Sequence, residues 1–98
     1  MRLIYPPDAE AELIDAAQFY EGRVSGLGVE FLDAVESAVV VILHAPERSR
    51  VVEADIRRYM MPRFPYAVYY RIQTDDLRVL AIKHHRQHPD YWRGRMAD

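Results

Sequence analysis

The hydrophobic positions in the first half of the chain repeat with the period of an α-helix. After a short apolar start at residues 3–5, two prolines end any strand, and Asp8 can cap a helix whose first turn is acidic. One helical face then carries four apolar side chains, at Leu13, Ala17, Tyr20 and Val24. The segment SGLG at residues 25–28 breaks this pattern. We therefore predict an amphipathic helix after a short N-terminal strand.

A second apolar face of the same period follows the break. Its members are Phe31, Leu32, Val35, Ala38, Val39, Ile42 and Leu43. The run VVVIL at residues 39–43 also suits a buried strand, but the helical period is continuous from Phe31, and Pro46 ends the segment as proline ends helices. The sequence therefore predicts a second helix, which forms a hairpin with the first.

From residue 51 onward, aromatic and β-branched residues dominate, and turn residues divide them into short runs. The predicted strands are residues 56–61, 66–72 and 77–83. Short connections make these strands an antiparallel three-stranded meander, and apolar residues on both sides of the third place it inside the sheet. We predict a single α+β domain over residues 1–98, with the helices on one face of the sheet and the arginines on the other.

Charge divides the chain where the period changes. Residues 1–49 carry three basic and nine acidic side chains, which gives this half a charge of −6. Residues 50–98 carry ten basic and six acidic side chains, a charge of +4, and the two halves sum to the net charge of −2. The arginine-rich strands should form a positive surface beside an acidic helical half.

The absence of cysteine excludes disulfides and thiolate sites and suits a cytoplasmic protein. The longest apolar run, residues 38–43, is far shorter than the about 20 residues that span a bilayer, so we expect no membrane or targeting segment.

Four stretches of the chain form a longer ordered pattern. They read AEAELIDAAQFYEGR, GLGVEFLDAVESAV, IRRYMMPRFPYAVYYRI and LRVLAIKHHRQHPDYW. With the order of strand, two helices and meander, they resemble the RelE/ParE toxin superfamily of bacterial type II toxin-antitoxin systems over nearly the whole chain. The resemblance implies a toxin of the plasmid-stabilisation kind, which inhibits growth when free and is neutralised by a cognate antitoxin. Family members of this shape either inhibit DNA gyrase or cleave mRNA on the ribosome.

Overall charge favours the first of these two activities. Ribosome-targeted members tend to be strongly basic, whereas this chain has a sequence pI near 6.1 and a single lysine. A gyrase inhibitor needs no catalysis and no cofactor, so whether the chain is an enzyme stays open. One alternative is a ribosome-dependent, metal-independent mRNA endonuclease. The other is a decayed toxin that acts only by binding its antitoxin. Contact with operator DNA is expected only indirectly, through the antitoxin.

Nuclease chemistry would need a base, an acid and cations that stabilise the phosphate. Histidine titrates near neutrality and arginine binds phosphate through two hydrogen bonds. The candidate catalytic residues are His84, His85, Arg71, Arg58 and Tyr91. The resemblance implies histidine or tyrosine near the end of the last strand and an arginine on the middle strand. Candidates for binding a target or antitoxin are Arg57, Arg58, Arg63, Arg71, Lys83 and Arg86.

Strand alternation refines these candidates. Arg57 and Arg58 should point to opposite faces, so at most one of them enters a common site, and His84 should share a face with Leu80 and Ile82. We expect no metal site in HHRQHPDYW, because Pro89 interrupts the helix that would align its histidines. The aromatic end of this segment should pack back on the domain.

Overall fold

In the computed structural model, which describes residues 1–86, two helices pack on one face of a five-stranded sheet. In chain order the elements are β1 (Arg2–Ile4), α1 (Pro7–Arg23), α2 (Leu27–His44), β2 (Arg50–Glu53), β3 (Ile56–Met60), β4 (Tyr66–Ile72) and β5 (Asp76–His84). The strand order is β1-β5-β4-β3-β2, with β1 parallel to β5 and every other pair antiparallel. The predicted α+β class, both helices and the interior position of the last strand are confirmed.

The meander has four strands rather than the three that the sequence predicts. The additional strand, β2, is a four-residue edge strand that pairs with β3 through Arg50 and Arg58 and carries a register shift after Val51. Its sequence, RVVE, is too short and too irregular to show strand alternation. The N-terminal strand joins the opposite end of the sheet, where Arg2 pairs with Asp76.

Both termini of α1 differ in detail from the prediction. The helix begins at Pro7 with Pro6 as its N-cap, so Asp8 lies inside the first turn instead of capping it. Proline suits this position because its missing N–H has no partner in the first turn. At the other end Val24 is the C-cap and is mostly exposed, so it does not continue the apolar face of the helix.

The link between the helices is fixed by one carboxylate. Glu21 accepts hydrogen bonds from the backbone N–H of Gly26, at 3.0 and 3.1 Å, and of Gly28, at 2.9 Å. Glu21, at the end of α1, therefore caps α2 by accepting hydrogen bonds from N–H groups that have no partner within α2. Gly26 has a positive φ of 88°, and Gly28 lies directly against the backbone of α1. Both glycines are needed where they stand, the first for its backbone conformation and the second for close helix packing.

Most of the core lies between the helices and the sheet. Four aromatic rings form its centre at edge-to-face or tilted angles, with centroids about 5 to 6 Å apart: Tyr20, Phe31, Phe64 and Tyr66. Tyr70 is fully buried, and its hydroxyl donates to the carbonyl oxygen of Pro46 at 2.7 Å, which links the end of the helical half to the sheet.

A second buried cluster lies on the opposite face of the sheet. It contains Ile56, Ala67, Tyr69, Leu80 and Ala81. A bulge creates it: Tyr69 pairs with Ala81 but Tyr70 pairs with Val79, so Leu80 is an extra residue in β5. Because of the bulge, two consecutive residues of β5 belong to this cluster, and strict alternation fails at this point.

The first prediction concerns Gly28. An added Cβ would stand 2.7 Å from the carbonyl oxygen of Ala17, so Gly28→Ala should lower the free energy of unfolding by about 1–3 kcal/mol through forced separation of the helices. Gly22→Ala is the matched control, since nothing lies within 4 Å of its added Cβ, and it should stabilise α1 by about 0.5–1 kcal/mol. Urea denaturation of both variants measures the difference, and equal effects would contradict the close packing.

The second prediction concerns the Glu21 cap. The hydrogen bonds from Gly26 and Gly28 lower the pKa of Glu21 below 4.5, so the stabilisation is complete above its unfolded pKa and is lost as the pH falls through the lowered value. Glu21→Gln should therefore reduce stability at neutral pH, and the difference from the parent chain should shrink in acid. Urea denaturation of Glu21→Gln and of the parent chain, at neutral and at acidic pH, measures this difference. Glu36→Gln is the control, because Glu36 caps no helix. A difference that persists unchanged in acid would contradict the cap.

Candidate functional site

The basic residues predicted for one surface occupy different environments. Three of them project from the sheet face opposite the helices, together with Arg78, and we call this surface the basic sheet face: Arg58, Arg71, Arg78 and Lys83. Arg57 lies on the helix side, as alternation predicts, and its Nη1 donates to the carbonyl oxygens of Glu47 and Ser49 at 2.9 and 2.7 Å. Arg63 lies in the β3–β4 loop and forms an ion pair with Glu30 of α2.

Arg71 is held by a carboxylate of the neighbouring hairpin. Its Nη2 donates to Asp55 Oδ1 at 2.8 Å and its Nε to Asp55 Oδ2 at 3.2 Å, a two-point geometry. The hydrogen bond from Arg71 lowers the pKa of Asp55. Asp55 follows Ala54, whose φ of 50° turns the chain between β2 and β3. A phosphate could use Arg71 as a clamp only by displacing this carboxylate.

Arg58 and Lys83 are close enough to repel each other. Lys83 is only 6% exposed, its Nζ lies 6.0 Å from the centre of the Tyr69 ring, and it donates to the carbonyl oxygen of His84 at 3.3 Å. Burial, and secondarily the charge of Arg58, lowers the pKa of Lys83. Arg58 Nε is buried without a hydrogen-bond acceptor within the described part of the chain. The pair therefore concentrates positive charge on a surface that is partly removed from water.

His84 faces the helices. It pairs with Tyr66, whose ring it meets edge-on at 5.0 Å, and it lines a cleft of about 410 Å³ beside α1. It shares this face with Ile82 but not with Leu80, so the predicted alternation is wrong on the far side of the bulge. The other residues lining the cleft are Glu12, Asp15, Ala16, Phe19, Tyr66, Ile82 and Arg86.

The protonation of His84 limits what it can do chemically. Its Nδ1 accepts a hydrogen bond from the backbone N–H of Arg86 at 3.0 Å, so in the neutral ring Nε2 carries the proton. Burial, followed by the charges of Arg86, His85 and Lys83, lowers the pKa of His84. In this arrangement the ring is neutral near pH 7 and its one basic nitrogen is already occupied. His85 is exposed, and its backbone N–H donates to the carbonyl oxygen of Pro65 at 2.9 Å.

The candidate catalytic residues within the described chain do not converge. His84 pairs with Tyr66 at the start of β4, whereas Arg71 stands five residues further along the same strand, about 17 Å away at strand spacing. The two side chains also lie on opposite faces of the sheet. Arg58 shares the face of Arg71 and so is likewise separated from His84. The fifth candidate, Tyr91, lies outside the described residues.

Two contributors to the basic sheet face are missing from the predicted set. Arg78 pairs with Arg71 across β4 and β5, and its Nε is buried without an acceptor among residues 1–86. Asp55 determines the orientation of Arg71. Strand alternation counted back from His84 places Arg78 on the wrong face, because the bulge lies between them. The contact between Asp55 and Arg71 spans 16 residues, so no local spacing in the sequence indicates it.

Other types of site were also searched for over residues 1–86. No group of three or more histidine, aspartate or glutamate side chains is arranged there to hold a metal ion. Neither of the two described helices is long and apolar enough to cross a membrane.

Sequence comparison places the chain in a family. The family described as "ParE toxin of type II toxin-antitoxin system, parDE" matches residues 3–89. The chain belongs to the ParE toxin family. No curated protein sequence matches it significantly.

The fold of this ParE-family chain is also found among solved structures. It is similar to a chain of the chromosomal ParDE TA system from P. aeruginosa, with a TM-score of 0.78 and 17% sequence identity over 86% of this chain and 95% of that one. At this identity the likeness concerns the fold alone. Together with the family match, it confirms the predicted RelE/ParE superfamily and identifies a type II toxin.

The third prediction concerns the ionisation of His84. Nitrogen-detected NMR of the imidazole rings should show His84 titrating below 6.5, with the proton of the neutral ring on Nε2. Arg86→Gln should raise this pKa, because it removes a neighbouring positive charge. A His84 pKa at or above 6.5, or a neutral ring protonated on Nδ1, would show that the described environment of the ring is wrong.

Proposed function

We propose that this ParE-family toxin inhibits DNA gyrase in the bacterial cytoplasm and is neutralised there by a cognate antitoxin. The observation that carries the proposal is the separation of His84 from Arg58 and Arg71 on opposite faces of the sheet. A cluster that positions an acid, a base and a phosphate clamp within a few ångströms is the minimum for RNA cleavage. Since these residues do not form such a cluster, action by binding is the better-supported mechanism.

The basic sheet face is the surface that we assign to binding. Arg58, Arg78 and Lys83 project there without forming an ion pair within residues 1–86, in contrast to Arg71 and Arg63. The apolar side chains beneath these residues, including Ile56 and Leu80, are buried. A positively charged surface is suited to an acidic protein segment. Arg57 is turned inward to backbone carbonyls, so it supports the fold and leaves the contact to its neighbours.

A ribosome-dependent endonuclease is the second candidate, because His84 and Arg86 share a cleft with the carboxylates of Glu12 and Asp15. This combination provides an acid, a base and a cation in one place. Such an enzyme would leave 2′,3′-cyclic phosphate ends on mRNA in the ribosomal A site, whereas a gyrase inhibitor would leave mRNA intact.

The fourth prediction distinguishes these functions. After tightly controlled induction in a bacterial host, thymidine incorporation should fall before methionine incorporation, and the purified chain should inhibit supercoiling by DNA gyrase. Arg58→Gln should weaken both effects about tenfold or more, because it removes a charged contact from the basic sheet face. Arg23→Gln is the matched control, since Arg23 lies over the Phe19 ring on α1, away from that face.

Three outcomes would count against gyrase as the target. Methionine incorporation that falls first, together with cyclic phosphate ends on mRNA, would identify the endonuclease instead. Gyrase activity that is unaffected by the folded chain would contradict the proposal directly. The absence of any growth arrest would indicate a chain that acts only by binding its antitoxin.

A further inference from the structure

The second buried cluster, on the basic sheet face, is more deeply buried than the described elements explain. Its five members belong to β3, β4 and β5, and Val52, which packs against it, belongs to β2. Within residues 1–86, both helices pack on the opposite face of the sheet. The five members are nevertheless only 0% to 7% exposed. A sheet face that nothing covers would leave the outer ends of its side chains in water.

The long side chains on this face show that neighbours within the sheet do not supply the cover. Alanines can be shaded by longer side chains beside them, but Tyr69 and Lys83 are long and are still only 7% and 6% exposed. Met60 pairs with Ala67 and so projects from the same face, at the end of β3, where it is 47% exposed. Exposure therefore falls from the border of the face to its centre, as it does beneath a covering segment.

The source of the cover is the chain itself. The burial is present in a single copy of the chain, so neither a second copy nor a partner accounts for it. Residues 87–98 are the part of the chain outside the described residues, and they follow β5, the strand that carries Leu80 and Lys83. Leu80 lies about 13 Å back from His84 at strand spacing, whereas a segment of this length spans up to about 40 Å when extended. The segment is therefore long enough to reach the centre of the face.

The sequence of this segment, QHPDYWRGRMAD, contains the side chains that such a cover needs. Tyr91 and Trp92 together can bury about 300–500 Å² of mostly apolar surface. Pro89 favours a turn after the strand. Asp90 and Asp98 can offset the positive charge of the face, because a buried charge is stabilised by a nearby opposite charge.

We propose that the buried cluster of the basic sheet face is a docking site for residues 87–98 of the same molecule, with Trp92 as the central apolar contact. The inference goes beyond the proposed function and needs neither gyrase nor an antitoxin. It makes the centre of the face a covered surface in the free chain. A partner that reaches the buried cluster must therefore first displace the segment.

The composition of the chain makes the test direct. Trp92 is the only tryptophan and Lys83 the only lysine, so the side-chain NMR signals of each are assigned without ambiguity. In the full-length chain, nuclear Overhauser effects should connect the Trp92 indole ring with the methyl groups of Ala67 and Ala81 and with the Cε protons of Lys83. Trp92 fluorescence should also lie at shorter wavelength than in the urea-unfolded chain, because the ring is removed from water.

Variants of Trp92 test whether this ring covers the face. Trp92→Ala should increase the broadening of the Lys83 signal by a soluble paramagnetic agent about threefold or more, because it removes a large covering ring. It should also raise the Lys83 pKa, since burial is the main cause that lowers it. Trp92→Phe keeps an apolar ring and should retain most of the cover. Phe19→Ala is the matched control, because Phe19 is 54% exposed on α1, away from this face.

Three results would overturn the proposal. The first is a folded chain in which the Trp92 ring shows no Overhauser effect to the cluster, and the second is equal broadening of the Lys83 signal in Trp92→Ala and the parent chain. The third is protection of Lys83 that falls on dilution, which would assign the cover to a second copy. The Overhauser effects are measured on the unaltered chain, so they decide the matter even if Trp92→Ala does not fold. None of these measurements involves growth or gyrase, so a toxin with a different target would leave the docked segment standing.

Discussion

The pairing of β4 with β5 is the constraint on which the rest of this structure depends. Both strands lie inside the sheet and carry buried side chains on both faces. Their outer neighbours, β3 and β1, pair with them, and α1 packs on β5. The bulge at Leu80 lies within this pairing and sets which residues of β5 face the helices on either side of it. A shift of one residue here would exchange the two faces of the strand.

This pairing also determines what chemistry is available. His84, beyond the bulge, is directed towards α1 and its carboxylates, while Lys83 is directed towards Arg58 on the other face. Residues that are adjacent in sequence thus contribute to two separate surfaces. One surface is a mixed-charge cleft and the other is strongly positive. The division explains why a chain so rich in histidine and arginine does not form one catalytic cluster from them within the described residues.

Within residues 1–86, the positive charge of the chain is divided between side chains that have a partner and side chains that form no ion pair. Arg71 and Arg63 form ion pairs with Asp55 and Glu30, and Arg57 donates to backbone carbonyl oxygens, so part of the positive charge is matched within the chain. On the basic sheet face, Arg58, Arg78 and Lys83 form no ion pair within residues 1–86. A partner without matching negative groups would leave this charge uncompensated, so the face favours acidic partners over others.

The sequence by itself determined the class of fold, both helices, the three longer strands and the family. Those features follow from periodicity, from turn residues and from ordered motifs, all of which are local. Only the tertiary structure decided that β2 is a strand, that Glu21 caps α2, that Asp55 holds Arg71, and that His84 and Arg71 lie apart. Each of these depends on strand register, on a one-residue bulge or on a contact between distant segments. Local patterns carry no information about such contacts, because the free energy of pairing is gained only when the segments meet.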